Sequence, residues 1–308
     1  MMNDILSLPA PVRADVTDRP ADILRFAREG LQTGSVALAT LTEIRGGAAR
    51  DLGAHLAVRP DGRFCGYVSG GCVEAAVATE ALQALALGQD RCVRFGEGSP
   101  FFDIVLPCGG GITVAIHILR QAQMLDHVLD ALNRRQPAGL RYDPGQQVLS
   151  KIAPPARASW GEAGFSTLYQ PQTRLIISGS GAEAQMLAQF ARISGWEVGE
   201  PASLKTGDQD AFTAIALLHH DIDAEHTTLQ AALSSKAFYI GALGSARTHQ
   251  RRTARLQAEG ADATDIARIR APIGMFGPTR DATSLALSVA ADIAAARLSA
   301  LGSGLPKS

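Results

Sequence analysis

Two cysteines set in glycine turns carry most of the chemistry this sequence offers. Ser69-Gly70-Gly71-Cys72-Val73-Glu74 joins a hairpin pattern to a helix pattern. Its glycines leave the backbone open to close approach, and Cys72 and Glu74 fall in or beside the first helical turn. A helix N-terminus lowers a thiol pKa, so Cys72 reads as a thiolate, a nucleophile or a soft metal ligand. The other reading is a small buried cysteine capping a core helix, the commoner fate of a free thiol. Cys108-Gly109-Gly110-Gly111 is a second cysteine in a glycine turn of the same region. Two such turns can converge on one ligand and offer it sulfur and backbone donors, which suits soft metals and thiolate exchange. Cys65 and Cys92 read as packing residues. None of the four cysteines forms a CxxC pair, which argues against a structural zinc site.

The second half carries different candidates. Gly179-Ser180-Gly181-Ala182-Glu183-Ala184 follows a strand pattern and opens a helix, so its backbone amides can face a phosphate. Glu183 places a carboxylate near that phosphate position, and the acidic partner expected about 20 residues on has no clear candidate beyond Glu200. The bland reading is a tight strand–helix turn. Gly241-Ala242-Leu243-Gly244-Ser245 runs from an apolar strand into a loop followed by Arg247 and His249. That position, at a strand's carboxyl end, is where doubly wound sheets hold ligands. Arg247 can clamp an anionic group and His249 can donate a hydrogen bond or a proton, unless both simply cap the helix in solvent. His219 and His220 are adjacent on a strand and point to opposite faces, a poor metal pair. No Ser-His-Asp order, HExxH or P-loop is present.

The elements that must position these residues fall into two patterns. RPADILRFAREGL predicts a helix ending at Gly30, SVALATLTEI a strand, GGAARDLG a loop, and HLAVRPDGRFCGYVSG a hairpin about Pro60-Asp61-Gly62. A helix from about Cys72 to Gly88 and further strands complete a small α+β domain over residues 20–120. The N-terminal residues before it read as a loose arm. Residues 121–172 read as a linker containing a short helix and one hairpin about Asp143-Pro144-Gly145. Residues 173–300 alternate strands and helices, which predicts a Rossmann-like, doubly wound parallel sheet ending in a long helix. The fold class expected is therefore α/β, with the α+β domain first.

Composition narrows the function classes. The chain has 308 residues, 46% of them hydrophobic, enough for two cores. The formal net charge is -1, which gives no basic footprint for nucleic acid and no polybasic stretch for a membrane surface. The longest apolar stretch, 285–301, is interrupted by Asp292 and Arg297, against the roughly 20 uncharged residues of a spanning helix. The N-terminus does not read as a signal peptide, so reduced thiols in the cytoplasm are expected.

Several segments together resemble the XdhC/CoxI family of xanthine dehydrogenase accessory proteins. They are LATLTEIRGGAARDLGAHLAVRPDGRFCGYVSGGCVEAAVATEAL, VRFGEG and CGGGITV in the first half. LIISGSGAEA, LLHHDID, FYIGALGSARTHQRRTARL and ARIRAPIG follow in the second. The resemblance implies a molybdenum-cofactor chaperone. Such a protein binds the pterin cofactor (molybdopterin type), supports its sulfuration with a cysteine desulfurase partner, and passes it to a molybdenum hydroxylase. By motif, the implied cofactor contacts are Ser69, Gly70, Gly71, Cys72 and Glu74, with Cys72 a transient metal ligand. The loops holding Cys108 and Gly109, and Gly241, Gly244, Ser245, Arg247 and His249, come next, followed by the Gly179 and Gly181 turn. Burial of a large, reactive cofactor between subunits gives an expectation of homodimerisation. The sequence departs from the family in the GGAARDLG loop, which replaces a serine- and proline-rich version, and in GMFGPTRDAT. It is also short between Trp196 and Phe212, so the Rossmann sheet is expected to be trimmed and NAD(P) is the less favoured cofactor. Two rivals stand beside this reading: an NAD(P)-dependent oxidoreductase using the Gly179 turn, and an adaptor that binds the hydroxylase or desulfurase without holding cofactor.

Overall fold

Alternation along one strand organises the first half of the molecule. The computed structural model describes residues 8–96, 109–206 and 210–301 and divides into two units, Met1–Gln170 and Pro171–Ser308. In the first unit, β1 (Val12–Asp15), α1 (Pro20–Gly30), β2 (Val36–Arg45), β3 (His55–Val58), β4 (Arg63–Gly66), α2 (Glu74–Leu87), β5 (Arg91–Gly96) and β6 (Gly111–Leu119) come first. The strands form one six-stranded sheet, β1-β4-β3-β2-β6-β5. Successive side chains of β2 point to opposite faces. Ala37, Ala39 and Leu41 pack with Val77, Ala81 and Val114 beneath α2. Val36 and Leu38 pack on the other face with Leu24 and Ala27 of α1.

The region expected to be a linker is instead part of this unit. It holds α3 (Gln123–Asn133), β7 (Ala138–Asp143), β8 (Val148–Ile152), β9 (Ser159–Gly161) and β10 (Gly164–Tyr169). These strands form a four-stranded sheet, β8-β7-β10-β9. The hairpin about Asp143-Pro144-Gly145 forms as expected, with the Asp143 carboxylate accepting from the Gly145 and Gln146 amides. Leu125, Val128, Leu140 and Tyr169 enter the core beside α1. The prolines and glycines here serve tight turns between short strands, which composition alone does not tell from a connector. The N-terminal arm also differs from expectation. Val12–Asp15 pairs in parallel with β4 as a short, mostly exposed edge strand, too short for its pattern to show.

The second unit is a five-stranded, all-parallel sheet ordered β12-β11-β13-β14-β15. Its elements are β11 (Arg174–Ser178), α4 (Ala182–Ile193), β12 (Glu197–Gly199), β13 (Thr213–Leu217), α5 (Ile222–Leu233), β14 (Tyr239–Ala242), α6 (Ala246–Ala258), α7 (Ala263–Ile266), β15 (Ile269–Arg270) and α8 (Ala282–Leu301). Both faces are covered, as a parallel sheet requires. Ala214 and Ala216 lie against α4 and α8, and Ile215 and Leu217 against α5 and α6. β12 has only three residues, the trimming the sequence foretold. By length and composition α8 passes for a membrane span. It packs Ala286, Val289 and Ile293 into this core, and its Asp292 accepts from the Tyr239 hydroxyl at 2.7 Å.

Candidate functional site

Strand directions bring three glycine loops to one end of the six-stranded sheet. β2 and β4 both run antiparallel to β3, so their carboxyl ends lie together. Arg45 of β2 and Gly96 of β5 both pair with Gly111, which puts the start of β6 at the same end. The loop after β2, the loop after β4, and Gly109-Gly110 therefore adjoin. A methyl group on Gly70 would lie 3.2 Å from the Ala49 side chain. One on Gly110 would collide with the Arg45 carbonyl. Gly109 is exposed with φ +69°, and space above it is open. Cys108 lies outside the described residues.

The loop after β4 is built from inside by one carboxylate. Glu74 is 1% exposed and turned under the loop. It accepts from the Ser69 amide at 2.8 Å, from the Ser69 hydroxyl at 2.9 Å, and from the Val68 and Val73 amides at 3.3 and 3.2 Å. Ser69 Oγ in turn accepts from the Gly71 and Cys72 amides at 3.3 and 3.2 Å. Ser69 and Glu74, expected to touch a ligand, instead hold the loop. Five of its amides are satisfied internally, so they are not the phosphate cradle the glycines suggested. What the loop presents outward is Gly70, Gly71 and Cys72, all exposed. Gly71 has φ +110° and nothing within 4 Å of a methyl placed on it.

The open choice for Cys72 is thereby decided: it is exposed, not a buried cap. Cys65 is buried as expected, and burial pushes its thiol up to about 11. Cys92 is not the packing residue expected. It is exposed, because β5 is an edge strand whose alternate residues Val93 and Phe95 face the core. Among the described residues no three His, Cys, Asp or Glu side chains gather as a metal site. Cys72 is a single sulfur donor, which suits a metal that arrives already ligated.

Sequence reading missed Arg50, in the loop after β2. Its guanidinium lies 5.3 Å from the centre of the Tyr67 ring, and Arg13 lies 4.3 Å from the same ring. Tyr67 leads directly into the Ser69–Cys72 segment. The only signal was an arginine beside Ala49 in a loop that departs from the family pattern.

In the second unit, the order of strands reverses between β11 and β13, the switch point at which such sheets bind ligands. There Ser178 Oγ and His219 Nε2 are 2.7 Å apart. His220 is exposed, its Nε2 3.4 Å from Glu183 Oε1. Gly179 has φ +139°, and a methyl on it would press on the Leu218 carbonyl at 2.6 Å. Gly181 precedes α4, and the Glu183 carboxylate folds back to within 2.5 Å of where a Gly181 methyl would sit. That carboxylate occupies the neighbourhood a nucleotide phosphate needs.

Gly241 is buried, and a methyl on it would meet Ile273 at 2.6 Å, so it is a packing glycine. Gly244 takes φ +126° over Thr248. Ser245 caps α6 by accepting from the Thr248 amide at 3.2 Å. Arg247 is exposed on the first turn. His249 is half-buried, and burial together with the Arg252 charge lowers its pKa. Beneath this loop Arg252 pairs with buried Glu225 and donates to the Leu243 carbonyl at 2.8 Å. Arg252 is 1% exposed, which its place among the polar residues of α6 does not announce in the sequence.

Comparison with known proteins follows these divisions. The family described as "XdhC and CoxI family" matches residues 31–96, and "XdhC Rossmann domain" matches residues 175–293. Over 293 residues the chain is 51% identical to an Escherichia coli protein named molybdenum cofactor insertion chaperone PaoD, covering 94% of this chain and 92% of that one. It is 28% identical over 268 residues to the uncharacterized E. coli protein YqeB, covering 83% of this chain and 42% of that one. A solved structure named as a xanthine dehydrogenase from Bacillus halodurans superposes with a TM-score of 0.73 at 20% identity, over 94% of this chain and 98% of that one. That likeness shows a shared fold.

Proposed function

The chain belongs to the XdhC and CoxI family, and on that premise we propose that it binds the molybdenum cofactor and delivers it to a xanthine-dehydrogenase-type molybdenum hydroxylase. The observation that carries this reading is the exposed Gly70-Gly71-Cys72 segment, held rigid on the buried Ser69–Glu74 pair. A cofactor is cargo here, bound and then released. Gly71 and Gly109 leave room for a flat, bulky group, and Cys72 offers one thiolate as a transient ligand to a metal the cofactor already holds. Ser69 and Glu74 position that thiol. Cys108, which precedes Gly109 in the sequence, is proposed as its counterpart. Within the second unit, taken by itself, Gly244, Ser245, Arg247 and His249 are the contacts proposed for an anionic group, ahead of the Gly179 and Gly181 turn that Glu183 fills. A cysteine desulfurase is the partner proposed for sulfuration, the cytoplasm the compartment, and a homodimer the assembly. The 51% identity to a protein named for cofactor insertion supports the reading.

The test uses molybdenum cofactor released from a purified hydroxylase. The full chain, incubated with it and passed over a desalting column, should retain the cofactor saturably and activate an apo-hydroxylase. NADH binding with turnover and no cofactor retention would favour the oxidoreductase. Capture of hydroxylase with neither ligand held would favour the adaptor.

A further inference from the structure

Engagement of five of the loop's amides leaves a question of charge. A phosphate bound at Gly70–Cys72 cannot be neutralised by the Val68, Ser69, Gly71, Cys72 and Val73 amides, which Glu74 and Ser69 already hold. The buried Glu74 carboxylate moreover repels an anion. Some cation at the rim must offset it.

Arg50 fits that need on three counts. Its loop touches the Ser69–Cys72 segment, Ala49 lying against Gly70. Its guanidinium is anchored near the Tyr67 ring rather than spread in solvent. Its Nε is buried without a hydrogen-bond partner. The carboxylate nearest it, Asp18, stands at 3.4 Å and is 56% exposed, a weak screened pair that a better anion can displace. Arg13 differs. It stacks on Phe64 and Tyr67 and donates to the Gly66 carbonyl at 3.2 Å, which makes it a buttress of the strand end.

We infer that Arg50 is the residue that offsets the charge of an anionic group on the ligand at the Gly70–Cys72 segment. A guanidinium fork matches phosphate oxygens in pairs, which an ammonium does not. The inference rests on the reading that this segment is the ligand site, and it adds a binding residue to that site.

The test needs no intact cofactor. The rate at which iodoacetamide alkylates Cys72 in the full chain is followed by peptide mass spectrometry, with and without inorganic pyrophosphate or phosphate. The ratio of the two rates cancels any change in intrinsic thiol reactivity. Pyrophosphate should slow Cys72 saturably and leave Cys92 unaffected. In Arg50→Gln the half-protecting concentration should rise roughly tenfold or more, in line with loss of a charge-assisted bidentate contact, and Arg50→Lys should recover part of it. Arg13→Gln, which loosens the same ring stack, should protect like the wild type. No protection in the wild type, or equal protection in Arg50→Gln, overturns the inference. Pyrophosphate protection through Arg50 in a protein that fails to retain molybdenum cofactor would sustain it and overturn the chaperone reading instead.

Discussion

One oxygen of the Glu74 carboxylate accepts from both the amide and the hydroxyl of Ser69, at 2.8 and 2.9 Å, beneath an exposed cysteine. The pair ties the first turn of α2 to the end of β4, so the position of Cys72 depends on a group it does not touch. Removing that group leaves buried donors at Val68, Ser69 and Val73 unsatisfied. Glu74→Ala should therefore cost roughly 2–4 kcal/mol in unfolding free energy. Glu74→Gln keeps an acceptor oxygen and should cost less than half as much. Urea titration measures both; equal stability of Glu74→Ala and wild type would contradict this placement.

Thiol reactivity should follow exposure. In the folded protein Cys72 should alkylate readily and Cys92 more slowly, because partial burial pushes the Cys92 thiol up, whereas Cys65, 1% exposed with a thiol pushed up to about 11, should stay unmodified until the chain unfolds. Site-resolved labelling tests the order. Rapid labelling of Cys65 would place the sheet edge wrongly.

His55 links the two sheets of the first unit. Nδ1 contacts Thr40 Oγ1 at 3.1 Å and Nε2 contacts the Tyr169 hydroxyl at 2.7 Å. Burial lowers its pKa from 6.5 to about 4, so the folded protein holds it neutral. The unfolded chain binds the proton first. The stabilisation is therefore complete above pH 6.5 and is lost as pH falls towards 4, amounting to about 3 kcal/mol at most. His55→Gln should be less stable at pH 7 and should lose less stability between pH 7 and 4.5 than the wild type. Parallel pH profiles for the two proteins would contradict this.

Much of this arrangement was readable from the chain. Hydrophobic period fixed β2, α2 and β13, and the Pro60-Asp61-Gly62 turn fixed the hairpin, because these signals are local. The role of Glu74 was not readable, since spacing puts it at a helix start without saying whether it turns towards ligand or loop. Gly241 looked like a ligand glycine because it ends a strand; only the approach of Ile273 shows it to be a packing one. Arg50 and Arg252 were missed for the same reason: their partners lie far away in sequence. The four-stranded sheet hid in Pro- and Gly-rich text, its strands as short as three residues.

The Gly179 turn makes a separate prediction. With the Glu183 carboxylate folded over Gly181 and near His220, a nucleotide pyrophosphate meets like charge at the start of α4. NADH titrated into the wild type should show no saturable fluorescence change at millimolar concentration. Micromolar NADH binding would contradict the assignment of that space to Glu183.

The most direct test compares cofactor retention and transfer in wild type, Cys72→Ala and Cys92→Ala. The account predicts that the wild type and Cys92→Ala retain molybdenum cofactor and activate an apo-hydroxylase. Cys72→Ala, which is exposed and should keep wild-type stability, should lose at least tenfold in retention. Equal retention by all three proteins, or none by the wild type, would contradict the claim that the Gly70–Cys72 segment holds the cofactor.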